Sequence, residues 1–277
     1  MENRIKFHVL DRFEEYSQVE NVQEESWGFP DREIVPKRIL FATSQSGGVV
    51  IGAFLDDLMI GYTWCWIAYN NQFRKFIYSH HNAVRKKYQN KNIGYLLKLE
   101  QRKWALKNGY KLIKWVFDPL QTKNCNLNLH KLGATCNTYK VNYWLELKDQ
   151  LNKGVETDRF FCDWNLQSKH ADNHINQIYT DYSDIISDSK KQVFETIQIS
   201  DFIDIEDINM NLKESVISIE VPSNFIEMKR TNKKLAIEWR LQTRAAFQNY
   251  FNLNYKVIDF IVLKSHDTIR CFHILEV

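Results

Sequence analysis

Ala83 to Leu97 reads AVRKKYQNKNIGYLL, and it changes character twice within fifteen residues. Before it, Phe76 to Val84 (FIYSHHNAV) is suited to a strand. Arg85 to Asn92 is a basic, polar turn in which Tyr88 alone is apolar. Ile93, Leu96, Leu97, Trp104 and Ala105 then recur at the spacing of one helix face. A polar turn running into a helix start leaves the first backbone N–H groups of that helix without intrahelical acceptors. The helix dipole favours negative charge at the same place, so main chain alone can hold a diphosphate there. Arg85, Lys86, Lys87 and Lys91 add cationic charge around it.

About one helix further on, Lys111 to Phe117 (KLIKWVF) is a second strand, followed by DPLQTKNCNLNLHKLGA, Asp118 to Ala134, in which a helix is expected from Asn124 to Lys131-Leu132-Gly133-Ala134. Taken together, Gln89-Asn90-Lys91-Asn92-Ile93-Gly94 resembles the Gln/Arg-x-x-Gly-x-Gly/Ala motif of the GNAT acyltransferases, which lies between a strand and a helix. Asn92 stands where that motif has its first glycine. Asparagine is among the few other residues that enter left-handed backbone at modest cost. Gly94 keeps the close-approach position. Leu129 occupies the place of the tyrosine that often protonates the leaving thiolate in the family. The runs SHHNAV, IGYLLKLEQRKWAL, FDPLQTKN, NLHKLGA and LNKGVETDRFFCDW resemble a sparsely characterised bacterial and archaeal subgroup of predicted GNAT acetyltransferases. That resemblance covers residues 10–167, and extends more faintly to AIEWRLQTRAAF, Ala236 to Phe247.

The resemblance implies an α/β (α+β) GNAT fold: a mixed, mostly antiparallel central sheet, splayed between its fourth and fifth strands and flanked by helices. It implies acetyl-CoA, or another acyl-CoA, as co-substrate, and direct transfer to a primary amine without an acyl-enzyme. A main-chain N–H near Val84 would polarise the thioester carbonyl. The coenzyme-binding residues it implies are Ala83, Val84, Gln89, Asn90, Lys91, Asn92, Ile93, Gly94 and Tyr95, with Asn124 either a partner of the pantetheine amides or a helix cap.

Three residues are candidates for acid–base work. Asp118 follows the fifth strand, where a carboxylate near the thioester could accept an amine proton; the competing reading is a turn residue before Pro119. His80 and His81 are consecutive on a strand, so one is expected to face the core and the other the opposite layer. Either titrates near neutral pH, and a buried structural histidine is the competing reading. His130 is expected on a solvated helix face. Thr157, Asp158 and Arg159 read as a salt-bridged strand start, and Trp64, Trp66, Trp115 and Trp144 as core.

The chain's 277 residues allow one large or two modest domains. A net charge of +3, with both signs interspersed, argues against nucleic acid as the partner. The five cysteines, Cys65, Cys125, Cys136, Cys162 and Cys271, are scattered without metal-ligand spacing, so free thiols, no metal and a reducing, cytoplasmic setting are expected. No membrane span or signal peptide is read.

Along the chain, Asp11 to Ser26 is helix-compatible and ends before Pro30 and Pro36. Val49 to Phe54 and Leu58 to Ala68 form a hairpin about Asp56-Asp57, its second strand buried on both faces. Asp158 to Leu166 is a late strand. The expected division is 1–167 as the acyltransferase domain, 168–191 as linker, and 192–277 as a smaller β-α-β segment packed on the first domain or across a homodimer axis. Within it Glu214 to Val221 is a strand, Asn232 to Asn252 a helix and Tyr255 to Lys264 a final strand. The acceptor is expected to be a small-molecule or peptide amine. Two other classes compete: a non-catalytic coenzyme A-binding or regulatory module, and an interaction module using Arg85 to Lys91 as a basic patch.

Overall fold

The computed structural model describes residues 5–145, 154–265 and 268–277, and the chain forms two compact units that divide between Trp115 and Val116. The first unit holds a sheet in the order β1-β2-β3-β4-β5. Its strands are β1 (Ile5–Val9), β2 (Val49–Leu55), β3 (Leu58–Tyr69), β4 (Lys75–Val84) and the beginning of β5 (Leu112–Phe117). The first four are antiparallel neighbours, whereas β4 and β5 run parallel, pairing Ile77 with Ile113 and Tyr78 with Lys114. The fold is therefore mixed and mostly antiparallel, as expected. Beyond that short parallel contact Ser79–Val84 continue along β3.

The hairpin of β2 and β3 turns at Asp56, whose φ of 53° is the left-handed conformation that a two-residue turn demands. Met59 to Cys65 are all buried, because helices cover both faces of β3. On one face α1 (Tyr16–Trp27) and α2 (Lys37–Gln45) supply Tyr16, Val19, Val22 and Leu40, which pack with Val50, Phe54, Met59, Tyr62 and Trp64. α1 stops where Gly28 takes φ 66° and donates its N–H to Glu24.

On the other face lies α3 (Ile93–Lys107), which buries Ile93, Leu97 and Ala105. It also buries a polar seam. Lys98 is 2% exposed, donates to Ser79 Oγ at 2.7 Å and sits 3.9 Å from the Trp115 ring centroid. Gln101 links this seam to Thr63 Oγ1 at 2.9 Å. A buried ammonium is costly unless it keeps donors occupied and a π-face near its charge, and Lys98 has both.

The second unit contains the end of β5 and the strands β7-β6-β11-β12-β10 in that order. These are β6 (Thr135–Lys140), β7 (Arg159–Asn165), β10 (Val216–Val221), β11 (Lys256–Lys264) and β12 (Ile269–Glu276). β8 (Phe194–Ile199) and β9 (Phe202–Ile208) form a separate two-stranded ribbon. The helices are α4 (Thr122–Cys125), continued by a π-helical turn Asn126–Lys131, then α5 (Lys169–Ile175), α6 (Ser183–Ser187), α7 (Phe225–Thr231) and α8 (Lys233–Asn252). α8 buries Trp239, Arg240, Thr243, Phe247 and Tyr250 along one face.

The part expected as β-α-β is thus richer than its sequence suggested. Tyr255 to Lys264 is not the last strand: β12 follows and pairs with both β11 and β10. Residues 168–191, read as a linker, carry two helices because Ala171, His174 and Ile186 are buried within the unit. Of LNKGVETDRFFCDW, residues 151–153 lie outside the described residues. No helix among the described residues is long and apolar enough to cross a membrane.

Candidate active site

In the first unit the turn expected to grip a diphosphate leaves β4 at Val84 and enters α3 at Ile93. Asn92 has φ 58° and ψ 2°, the left-handed conformation anticipated for the position of the motif's first glycine, and Asn90 is left-handed as well at φ 60°. The Asn92 side chain does not cap the helix. The first-turn amides, with no acceptor inside α3, are therefore available to an anion.

Gly94 has a different meaning. Its φ is not in the left-handed range, and a Cβ built on it would meet only Asn82 Nδ2 at 3.5 Å and Val84 Cγ2 at 3.9 Å, ordinary contacts. Neither backbone conformation nor packing requires glycine there. Glycine in a helix costs roughly 0.5–1 kcal/mol against alanine, so its presence fits a position where a ligand must approach the backbone. Asn82 holds this first turn by donating to Gly94 O at 3.1 Å, and Gln89 ties the loop to Val84 O at 2.9 Å.

Lys86, Lys87 and Lys91 are exposed around the turn, and Lys87 and Lys91 flank the Tyr88 ring at 5.9 and 5.5 Å. Arg85 is not part of this basic rim. It is 7% exposed, donates through Nε to Met59 O at 2.6 Å and pairs with Glu25. The alternation of β4 carries on into Arg85 and turns it inward, so its charge is spent on joining α1 to β3. Ala83 and Ile93 are buried, and Val84 and Tyr95 half-buried, at the two ends of the loop.

His80 and His81 lie on the same face of β4, contrary to the expectation of opposite faces. The register of β4 against β3 slips between Ser79 and His81, opposite Cys65 and Trp64, leaving His80 as the extra residue of a β-bulge. A bulge breaks the alternation of side chains. The two imidazoles accordingly stack at 4.5 Å with 23° between their planes. His80 also meets Trp64 and Trp66 at 5.3 and 5.2 Å, and His81 meets Trp27 at 4.8 Å. His81 Nδ1 is 2.8 Å from the Tyr62 hydroxyl. Burial lowers the pKa of both histidines, and His80 lowers that of His81 further. Both rings are therefore neutral at pH 7. His80 remains half-buried while His81 is buried, so His80 is the more accessible base.

In the second unit Asp118 is 5% exposed and its carboxylate is already engaged. Oδ1 accepts from Leu120 N at 2.9 Å, Oδ2 accepts from Arg240 Nη2 at 2.6 Å, and Arg159 Nη1 stands 3.9 Å away. Burial pushes its pKa up, but Arg240 and Arg159 outweigh that and hold it below the ordinary carboxylate value. A carboxylate so stabilised is a poor proton acceptor. Next to it Asp158, fully buried, accepts from Tyr139 at 2.7 Å and from Arg244 Nε at 2.8 Å, and Arg244 also pairs with Glu156. The expected salt-bridged strand start at Asp158 and Arg159 is present, with partners that sequence reading did not assign. Arg240 and Arg244 lie four residues apart on α8, a spacing visible in AIEWRLQTRAAF that could have signalled one charged face. Asn124 is exposed in the middle of α4 and donates its N–H to Gln121 O at 2.9 Å, while Gln121, not Asn124, is the residue before the helix.

The five cysteines are all buried free thiols. Burial pushes the Cys65 and Cys271 thiols up to about 12, so neither supplies a thiolate nucleophile at neutral pH.

Residues 12–134 match the model of the acetyltransferase (GNAT) family. No curated protein matches the chain. Among solved structures, a GNAT-family acetyltransferase from Streptococcus pneumoniae is 13% identical, with a TM-score of 0.48, over 57% of this chain and 98% of its own. PaiA N-acetyltransferase from Thermoplasma acidophilum, solved with coenzyme A, is 20% identical, with a TM-score of 0.43, over 58% of this chain and 98% of its own. The stretch that matches the acetyltransferase (GNAT) family model, residues 12–134, holds the whole turn from Arg85 to Asn92, the helix after it and β5, which ends at Phe117.

Proposed function

We propose that the protein is an acyl-CoA-dependent N-acyltransferase that moves an acetyl group from acetyl-CoA to a primary amine. The observation that carries this reading is Gly94, a glycine that the fold does not need, at the start of an uncapped helix behind two left-handed asparagines. The diphosphate of the coenzyme would lie on the first-turn amides of α3, with Lys86, Lys87 and Lys91 around it and Gln89, Asn90 and Tyr95 at its edges.

The chemistry asks little of the side chains. The free amine attacks the thioester carbonyl, whose oxygen is polarised by main-chain N–H near Val84. The N–C bond forms, the C–S bond breaks, and coenzyme A leaves as the thiolate, which takes a proton from solvent. The proton lost by the amine passes to a base, and neutral, half-buried His80 on the bulge of β4 suits that task better than Asp118, whose lone pairs are held by Arg240 and Leu120 N. His81 supports it through the stacked ring. Most of the rate then comes from proximity. The acceptor is a small-molecule or peptide amine, and a cytoplasmic setting accords with the buried free thiols.

Calorimetric titration with acetyl-CoA, beside a Gly94→Asp variant, tests the coenzyme site. Binding by the parent and none by the variant is expected; equal binding by both would refute the loop assignment. An amine screen monitored by thiol release then separates an enzyme from a coenzyme-binding module. A His80→Ala variant that keeps the parental pH–rate profile would remove His80 as the base.

A further inference from the structure

The second unit contains a constellation unrelated to the coenzyme loop: His130, His174 and Asp259 bring one potential ligand atom each to within 4.8 Å of one another. They are far apart in sequence, 44 residues between the two histidines and 129 between His130 and Asp259, so no spacing pattern announces them. His130, expected on a solvated helix face, is instead held 2.9 Å through Nδ1 from Asp259 Oδ1 and stacked 4.0 Å from Tyr179.

Three local irregularities assemble the group. His130 belongs to the π-helical turn Asn126–Lys131, a wide turn that recurs at functional sites. Asp259 follows a register slip of β11 between Val257 and Asp259, which re-aims its side chain. Gly133 has φ 63°, and a Cβ there would stand 2.9 Å from His174 Cβ and 3.0 Å from Ala171 Cα. Only glycine lets α5 approach so closely, and that approach delivers His174.

The donor chemistry is that of a cation site. His174 Nδ1 is 2.5 Å from the main-chain carbonyl of His130. A carbonyl only accepts, so Nδ1 carries the proton and Nε2 keeps its lone pair, the arrangement that outer-sphere hydrogen bonds impose on metal-ligating histidines. His170, one turn earlier, likewise meets Ile258 O at 3.1 Å and pins α5 to β11 beside Asp259. Asp259 is fully buried: Oδ1 accepts from Phe260 N at 2.6 Å as well as meeting His130, while Oδ2 has no hydrogen-bond partner. A buried carboxylate oxygen left unpaired is expensive.

The geometry points to a site for a divalent transition-metal ion of the zinc class, held by His130, His174 Nε2 and Asp259. Two imidazoles and one carboxylate suit zinc, which takes nitrogen and oxygen ligands at about 2.0–2.2 Å, so the three groups draw together around it. The ion would join the π-helical turn, α5 and β11, three segments distant along the chain. Its fourth position would be left for water on the side where His130 is 24% exposed.

The test uses the full chain, stripped with a chelator, and Zn2+ titrated calorimetrically. One equivalent bound more tightly than about 10 μM is expected, with a rise in melting temperature and, on Co2+ substitution, a visible ligand-field band. His130→Ala, a partly exposed ligand whose loss should leave the fold intact, is expected to weaken Zn2+ by on the order of 100-fold, since loss of outer-sphere partners alone costs 10- to 100-fold. His8→Ala, in the other unit, should change nothing. His174→Gln should abolish the Co2+ band if the variant folds. No stoichiometric binding by the parent, or undiminished binding by His130→Ala, would overturn the site and leave a plain His–Asp hydrogen bond.

Discussion

The turn before α3 and the network around Asp118 both manage charge, in opposite ways. The turn is built from consecutive main-chain groups, keeps Lys86, Lys87 and Lys91 in water, and leaves its helix start uncapped. The Asp118 network is built from side chains at positions 118, 139, 158, 159, 240 and 244, buries nearly all of them and satisfies the carboxylates internally. One region leaves the first-turn amides of its helix without acceptors inside that helix. The other has its counter-charges built in, so its first duty is to hold the second unit together.

The sharpest way to break this contrast is to remove one partner of the buried pair. Arg240→Met should leave buried Asp118 with only Leu120 N–H and the more distant Arg159, and lower unfolding free energy by about 3 kcal/mol in denaturant titration. Arg240→Met combined with Asp118→Leu should cost less than the two single changes added. Additive losses would mean that the two groups are not coupled.

A second probe of the same interior is pH. His273 is fully buried, with Nε2 2.8 Å from Pro119 O, and burial lowers its pKa to about 4. The unfolded chain takes that proton near pH 6.5, so the stability is complete above about 6.5 and is lost as pH falls toward 4. The loss is on the order of 3 kcal/mol. His273→Gln, which can still donate to Pro119, should flatten that slope; an unchanged acid limb would shift the effect to other groups.

The turn should answer differently. Gly94→Ala is expected to stabilise the ligand-free protein by up to about 1 kcal/mol, because the added methyl meets only ordinary contacts. The same change should weaken acetyl-CoA about tenfold, a loss of roughly 1.4 kcal/mol. Stability and affinity rising together would show that no ligand approaches there. Tyr139→Phe, which removes one hydrogen bond to Asp158, should cost about 1 kcal/mol with coenzyme affinity unchanged. Smallest of all, Lys91→Ala should weaken coenzyme binding a few-fold at low salt and hardly at all at high salt.

The same contrast explains what could be read before folding. The strand, turn and helix from Phe76 to Lys107 are contiguous, so period and turn chemistry specify them, down to the left-handed Asn92. Arg85 misled, because cationic sequence does not say which cations face inward. His80 and His81 misled because a bulge is a tertiary accommodation of β4 to β3, absent from any two-residue periodicity. β12 went unread, its IRCFHILE beginning only a few residues after the end of β11. Asp118 was found as a residue and misjudged as a group, since its partners arrive from α8, 122 residues later. His130 met the same fate with Asp259.

The bulge of β4 has one more consequence. By setting two imidazoles against Trp64, Trp66 and Trp27 it places indole chromophores beside groups whose protonation and polarity alter emission. The protein thus carries its own optical reporter: an acceptor seated on that wall, or a proton arriving at it, changes intrinsic fluorescence without any label.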